Sequence, residues 1–311
     1  MDILTIRNSL SFLHCKKLTV IDSGHENSCF LIETEDNKKF VLKIFPLKDL
    51  DELVFEKSVL EKLSKSTKGY IETFGEILQF EDEIFILYKY FDGDPLSPVD
   101  IKKETLEKIA HMQADMHKTL QNFSPKGKRE RFSIFDLSFI DLFSRKEEDS
   151  EIEDVINLAK EKVDSYISKY KNFDLPKSII HEDLELVNIL QNSKQELLFI
   201  DFGESHFAPV ISDIAIAMKE LIINTTGSDM NLIETYIRAY QDKFPILTQQ
   251  QLDMLHFLML RRTLFMFTYL LHIGHKINSP NNKGISCNVD IEYKSLIELL
   301  NNNFRLSNDL L

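Results

Sequence analysis

The feature that most restricts how this chain can fold is a change of periodicity near residue 91. Before it, "KLTVID", "SCFLIET" and "KFVLKIF" are short β-rich runs parted by "SGHEN" and "EDNK", the pattern of two successive antiparallel hairpins. From Asp49 to Lys65, Leu53, Leu60 and Leu63 recur at helical spacing, with Asp49 and Asp51 at the end that favours acids. "YIETFGEILQF" and "EIFILYKY" then return to a strand pattern. That order predicts a small sheet with one helix packed on it. "FDGDPLSPVD", with Gly93 and two prolines, interrupts all periodicity and reads as an inter-domain hinge.

Beyond the hinge the pattern is mainly helical. Residues 101–121 read as a helix, "SPKGKRER" as a basic loop, and "SRKEEDSEIED" as a solvated acidic run entering another helix. Two or three short strands are expected between Lys177 and Gly203. From Ser212 onward long helices follow, broken at "TTGSD", "DKFPIL" and "INSPNNKG". The expected architecture is α+β. Residues 1–91 form a small antiparallel-sheet lobe with one helix, and residues 92–311 a larger, mainly helical lobe. A chain of 311 residues with 43% hydrophobic content suits one large or two medium domains.

Composition narrows the partners. With 37 basic against 50 acidic residues the net charge is −13, which disfavours nucleic acid and anionic membrane and admits a cationic substrate, though the same acidity also serves solubility. Cys15, Cys29 and Cys287 are too few and too scattered for a disulfide framework or a thiolate metal site, and suit a reducing cytosol. The N-terminal "MDILTIRNSLSFLHCKK" does not read as a secretory signal, and the late apolar run "LHFLMLRRTLFMFTYLLHI" carries Arg261 and Arg262 at its centre, against a membrane span. A soluble, cytoplasmic protein is expected. Oligomeric state has no signature here.

The residues that could carry chemistry lie in "SIIHEDLELVNIL" and "FIDFGES". A β-like run closes on His181, two acids follow, and Asn188 sits between Val187 and Ile189; such polar groups need hydrogen-bond partners or a ligand. Asp201 ends a second apolar run just before Gly203. Phosphoryl transfer needs this set: a carboxylate to take the proton of an attacking hydroxyl, and a carboxamide oxygen with a second carboxylate as hard ligands for Mg²⁺ on a triphosphate.

The pattern "HEDLELVN…IDFGE" resembles the aminoglycoside phosphotransferase and choline kinase family, relatives of the protein kinases. The resemblance implies a bilobal protein-kinase-like fold, ATP as phosphoryl donor and Mg²⁺ as cofactor. It makes Asp183 the catalytic base, Asn188 and Asp201 the metal ligands, and His181 and Asp213 braces of the catalytic loop. Where the family usually has Gly or Asn after the histidine, this chain has Glu182. The N-terminal half offers the partners a kinase needs: Lys43 in an apolar strand, and Glu56 on the helix face of Leu53 and Leu60, with Glu52 a less inward alternative. A Lys43–Glu56 pair would relieve the cost of burying the lysine. Ser23, Gly24 and Asn27 resemble the family's phosphate-covering loop. Main-chain groups of Tyr88, Lys89 and Tyr90, ending the fifth strand, would meet the adenine edge.

Acids near Asp183, namely Glu182, Glu185 and Glu204, are candidates for holding the amine of a cationic or zwitterionic small-molecule acceptor. Arg262 shares a helix face with Leu255, Met259, Met266 and Tyr269, so its guanidinium must meet an anion or carbonyls: an internal ion pair with a C-lobe acid, or a substrate carboxylate. "IDFGESHFAPVISDIAIAM" resembles the hydroxylysine kinase branch of the family. The expected activity is a small-molecule kinase phosphorylating a hydroxyl of an amino alcohol, hydroxy amino acid or aminoglycoside. The alternative is a catalytically inactive pseudokinase serving as a nucleotide-binding or regulatory module. Protein-kinase activity is disfavoured, since no Ala-Pro-Glu element follows Asp201.

Overall fold

Strand β3 (Lys39–Pro46) shows why the first third folds as a sheet. Its alternation sends Phe40, Leu42 and Ile44 into a core on one face and leaves Val41, Lys43 and Phe45 on the other. The strands β1 (Cys15–Asp22), β2 (Ser28–Thr34), β3, β4 (Thr73–Phe80) and β5 (Glu83–Lys89) form one antiparallel sheet in the order β1-β2-β3-β5-β4. On the Phe40 face, Leu10, Leu13, Cys15, Phe30, Ile32, Phe85 and Leu87 complete the core. The register sets Cys29 and Ile86 opposite Lys43, and Tyr88 opposite Val41, on the face that receives helix α1 (Leu50–Ser66). Leu53, Phe55, Glu56, Val59, Leu60 and Leu63 are the buried residues of α1, the apolar stripe expected plus one acid.

The computed structural model describes residues 10–22, 28–143, 150–277, 288–302 and 306. The chain divides into two compact units. The first runs to Asp94 and takes in two later segments, Ser124–Arg129 and Leu190–Gly203; the second holds Pro95–Phe123, Glu130–Ile189 and the chain from Glu204 onward.

Both returning segments of the first unit are fixed by backbone contacts. A parallel bridge joins Tyr70 to Phe199: Ile71 N–H donates to the Phe199 carbonyl at 2.9 Å, and Phe199 N–H to that of Gly69 at 2.8 Å. The Tyr70 ring meets Phe199 and Phe202 edge-on, which anchors the residues on either side of Asp201. Ser124–Arg129 lies against the first half of α1, where Lys126 N–H donates to Ser58 Oγ at 3.0 Å. Gly127 has φ +75° there, and a Cβ on it would stand 2.3 Å from the Asp51 carbonyl oxygen and 2.8 Å from Phe55 N. Only glycine allows that approach.

The second unit is mainly helical. Helices α2 (Lys103–Leu120), α3 (Ser138–Phe143), α4 (Ser150–Tyr170), α5 (Val210–Met218), α6 (Met230–Lys243), α7 (Leu255–His272) and α8 (Val289–Asn301) make up most of it. The α2 helix packs on α6, and α7 on α4, α5 and α8. The second unit's short strands are β7 (Lys177–Ile180) and β10 (His206–Pro209); β9 (Leu197–Phe199) belongs to a returning segment of the first unit, and β6 (Asp94–Pro95) and β8 (Ile189–Gln191) each fall across the division in the chain. The pairing of β10 with β7 was not expected, because four residues ending on proline carry no alternation signal. The helical run leading to Arg262 begins as a separate turn, Gln249–Leu252, opened by a capping box from Thr248. The stretch Gln249–His272 is long and apolar enough to cross a membrane by length and composition, yet 78% of its apolar window is buried inside the protein, as in a core helix. Beyond Ile277, the expected break at "INSPNNKG" lies outside the described residues.

Gly127→Ala is expected to destabilise the chain by more than the roughly 1–2 kcal/mol of a left-handed alanine, because the methyl also meets backbone. Urea denaturation measures it; an unchanged midpoint would contradict the close approach.

Candidate active site

In the first unit the charged residues form a connected set. The ammonium of Lys43 lies 3.0 Å from Asp201 Oδ1. Burial works to lower the lysine's pKa, but the charges of Asp201 and Glu56 and the hydrogen bond to Asp201 outweigh it and hold it above its ordinary value. The pair expected between Lys43 and Glu56 is therefore corrected in its geometry: Lys43 touches Asp201, and Glu56 acts on it through its field. The Glu56 carboxylate, 2% exposed, accepts from Tyr88 Oη at 2.6 Å and lies 3.7 Å from Arg129 Nη2. Burial raises the Glu56 carboxyl, with Lys43 opposing, and raises the Tyr88 phenol well above its usual range.

Arg129, read from the sequence only as part of a basic loop, holds this set together. Its Nη1 donates to the Phe202 carbonyl at 2.7 Å and its Nη2 to the Glu52 carbonyl at 2.9 Å; Nε reaches Glu52 Oε2 at 3.3 Å, and the guanidinium lies over the Phe55 ring. Glu52, the alternative helix acid, is thus an Arg129 partner. Asp201 adopts a left-handed φ of 59°, a strained conformation that the bonds at Phe199 and Phe202 on either side maintain.

At the expected adenine contact, the backbone donors are engaged within the sheet. Tyr88 is locked between Val41 and Thr73 in the sheet, Lys89 N–H donates to the Glu72 carbonyl at 2.8 Å, and Tyr90 N–H to that of Lys39 at 3.4 Å. The donors of this trio are committed to the sheet, because the β5 ladder runs to its end. Their side chains are engaged as well: Tyr88 on Glu56, Lys89 on Glu72 at 2.5 Å, and Tyr90 beneath the ammonium of Lys39. Ser23, Gly24 and Asn27 lie outside the described residues.

In the second unit the loop after β7 carries the remaining candidates. Asp213, fully buried in the first turn of α5, accepts from Glu182 N–H at 2.7 Å through Oδ1 and faces His117 Nε2 at 2.9 Å through Oδ2. Gln113 Nε2 donates to the same Oδ2 at 3.0 Å, and Tyr236 and Tyr240 close the cluster behind Gln113 and His117. Burial works to raise the Asp213 carboxyl, but the bonds and charges of His117 and its neighbours hold it below its ordinary value. The result is a braced turn: Glu182 sits at φ 67°, and Asp183 N–H donates to His181 Nδ1 at 3.3 Å. A left-handed φ favours Gly or Asn, so the glutamate here carries strain.

Asn188 has its amide nitrogen tied to Asp183, donating to the carbonyl at 2.8 Å and to Oδ2 at 3.0 Å. That fixes the carboxamide and leaves its oxygen as the open acceptor. Asp183 Oδ1 receives Arg262 Nη2 at 2.8 Å, and Arg262 Nε lies 3.5 Å from Glu220 Oε1. Arg262 therefore stands on internal anions, the first of the two partners considered for it. Burial acts to lower its pKa, but Asp183 and Glu220 override this and raise it beyond its ordinary value. Glu220 in turn meets Lys219 at 3.0 Å, and Lys219 meets Glu292 at 2.6 Å. The sequence reading missed Lys219, Glu220 and Glu292; the signal was a Lys-Glu pair inside the apolar "IAIAMKELII".

The acids proposed for substrate divide. Glu204 is engaged by Arg131 at 2.6 Å and half exposed, so it is not an open counter-charge. Glu182 and Glu185 carry no ion pair within 4 Å among the described residues. Burial lifts Glu182 to about 7, with Arg262 opposing, and burial with repulsion from Asp183 and Glu220 lifts Glu185 to about 8. Around Asp183, carboxyl groups outnumber cations, a setting that would favour an added positive charge.

With this geometry in hand, comparison identifies the family. The model of the phosphotransferase enzyme family matches residues 17–251. The chain belongs to that family. By that membership it is a phosphotransferase. A search of curated proteins finds no match. Among solved structures it is similar to an amicoumacin kinase in complex with AMP-PNP, Ca²⁺ and Ami, at TM-score 0.75 and 13% identity over 97% of this chain and 94% of that one. It is also similar to a microcompartment-associated aminopropanol kinase, at TM-score 0.68 and 15% identity over 96% and 94%. A choline kinase from Streptococcus pneumoniae gives TM-score 0.68 and 18% identity over 96% and 99%. At such identities the likeness establishes the fold, a protein-kinase-like α+β architecture.

A pH dependence follows for Glu182. Its folded pKa, about 7, is above the ordinary 4.5, so the folded chain favours the protonated acid. Its contribution to stability is full below about pH 4.5 and is lost as pH rises through about 7. Glu182→Gln should therefore gain stability relative to the parent chain between about pH 5 and about pH 8, measured by urea midpoints. A difference that does not change with pH would contradict this.

Proposed function

We propose that this phosphotransferase is an ATP- and Mg²⁺-dependent kinase whose acceptor is the hydroxyl of a small amine-bearing molecule. The observation that carries the reading is the partly buried ammonium of Lys43 held against the carboxylate of Asp201. Phosphoryl transfer needs a cation for the phosphates and an acid for the metal, and this pair supplies both.

The donor set fits a magnesium ion. Among the described residues no group of three or more His, Cys, Asp or Glu could hold a metal, which excludes an all-protein cage there. Taken separately, the Asp201 carboxylate of the first unit and the Asn188 carboxamide of the second, whose nitrogen is already bonded to Asp183, offer the kind of hard oxygen that would hold Mg²⁺ alongside phosphates and water. When bound, the ion would neutralise charge on the phosphates. Lys43 aligns the phosphate oxygens, and Glu56 keeps it charged. Asp183, its carboxylate fixed by Asn188 and Arg262, orients the acceptor hydroxyl and takes its proton. The committed donors of Lys89 and Tyr90 leave the adenine edge to carbonyls of the β5 end and to main-chain groups beyond Tyr90.

An amine on the acceptor is supported by the excess of carboxyls around Asp183, with Glu182 and Glu185 as its counter-charges. The structural neighbours include kinases of aminopropanol and choline, both nitrogen-bearing alcohols. The hydroxylysine kinase branch fits the same acceptor class.

The test is a coupled assay with ATP and Mg²⁺ over choline, ethanolamine, 1-amino-2-propanol, homoserine, hydroxylysine and aminoglycosides. Turnover of at least one acceptor is expected, with Asp183→Asn lowering kcat by about 100-fold or more. Mg²⁺ with ATP should raise the thermal midpoint, and Lys43→Met should remove most of that rise. Nucleotide binding without turnover of any acceptor would favour the pseudokinase reading.

A further inference from the structure

Between α5 and the short helix Asn224–Thr226 the backbone widens into a π-turn, Lys219–Ile223, with every one of its residues buried. Such turns are rare and recur at functional sites. This one carries Lys219 and Glu220, neighbours in sequence, both turned inward. Lys219 is fully buried and is held by Glu220 at 3.0 Å and by both oxygens of Glu292, at 2.6 and 2.7 Å. Asn224 Nδ2 donates to the second oxygen of Glu220 at 2.9 Å and is itself fixed by Ser295 Oγ at 2.8 Å. Glu220 Oε1 then faces Arg262 Nε at 3.5 Å, and Arg262 Nη2 ends on Asp183 Oδ1 at 2.8 Å. One chain of alternating charge thus runs from α8 through the π-turn and α7 to the loop of Asp183.

Stability does not explain such a chain. Buried ion pairs repay their desolvation poorly, and apolar residues of the same volume often serve the fold as well. What the chain does provide is orientation. Asp183 has one carboxylate oxygen on Asn188 and the other on Arg262. Arg262 alone could swing on its flexible stem. Its Nη2 is directed onto Asp183 at 2.8 Å, while its buried Nε makes no hydrogen bond among the described residues and faces the Glu220 charge at 3.5 Å, a field that favours this orientation over others.

We propose that Arg262 and Glu220 are positioning residues for the phosphoryl-transfer reaction: Arg262 sets the plane of the Asp183 carboxylate, and Glu220, delivered by the π-turn, sets Arg262. This rests on Asp183 being the proton acceptor. It assigns Arg262 to the base and removes it from substrate binding.

The experiment is a double-mutant cycle on the full chain, reading phosphorylation of whichever of choline, ethanolamine, 1-amino-2-propanol, homoserine, hydroxylysine or an aminoglycoside the screen turns over and, independently, ATP hydrolysis to water. Arg262→Met should lower kcat by about 100-fold, as for a misplaced reacting group, while KM for ATP stays within about twofold. Arg262→Lys should recover about tenfold of that loss, since it restores the charge without the fork. Glu220→Gln should cost about tenfold in the parent chain and nothing further in Arg262→Met, because it acts only through the arginine. Thermal midpoints separate folding from function, and the near-isosteric Glu220→Gln and Arg262→Lys keep the test alive if Arg262→Met fails to fold. The proposal is overturned if Arg262→Met loses thermal stability but keeps kcat while Asp183→Asn is inactive, or if the Glu220 and Arg262 losses simply multiply. It is also overturned if the losses appear in the acceptor's KM alone, the mark of a substrate contact. Full activity of Asp183→Asn would instead remove the base itself, a failure of the functional reading that the other variants would not produce.

Discussion

The first unit depends on how one partly buried ammonium is kept charged. Lys43 sits on the sheet face that receives α1, where desolvation alone would push it toward neutrality. Asp201 meets it directly and Glu56 supports it at longer range. Glu56 would itself be driven to protonate by burial, and Tyr88 and Arg129 hold it. Arg129 also grips the carbonyl of Phe202, the residue after Asp201, so one cation faces Glu56 and fixes the backbone beside Asp201. Breaking such a set at one point leaves an uncompensated charge, which costs about 3–5 kcal/mol where the group stays buried. Sheet, helix and two returning segments are thereby bound into one electrostatic unit.

The second unit treats its own acid differently. Asp213 braces the loop from inside, holding the strained turn at Glu182, while Asn188 and Arg262 hold the Asp183 carboxylate from either side. The surrounding acids remain in excess, and burial keeps Glu182 and Glu185 prone to carry protons near neutral pH. On the proposed function, an amine entering there meets carboxyls that gain by ionising beside it.

How much of this was legible in the sequence depended on whether the information was local. The strands β1 to β5 and α1 were readable because one face of each is buried and the period of the apolar residues reports it. Lys43, Glu56, Asp183, Asn188 and Asp201 stood out as polar residues within or at the ends of apolar patterns, and the roles proposed for them come from the family resemblance. Arg129 was not: its importance comes from Glu52, Glu56 and Phe202, all distant in sequence, and a basic loop looks the same whether solvated or buried. The main-chain commitments of Lys89 and Tyr90 leave no side-chain trace. The π-turn inserts its extra residue into a uniformly apolar helix, where a shift of phase has no contrast against which to show. The glutamate at position 182 was visible as a departure from the family pattern, and its φ of 67° gives that departure its physical meaning.

The central claim is that Lys43 and Asp201 are the groups on which a metal nucleotide is held. The most direct measurement is an anomalous difference map from crystals grown with AMP-PNP and Mn²⁺. The account predicts a manganese peak on the Asp201 carboxylate and the Lys43 ammonium on a phosphate oxygen. A bound nucleotide that leaves the Lys43–Asp201 contact intact, with no peak at that carboxylate, would contradict it.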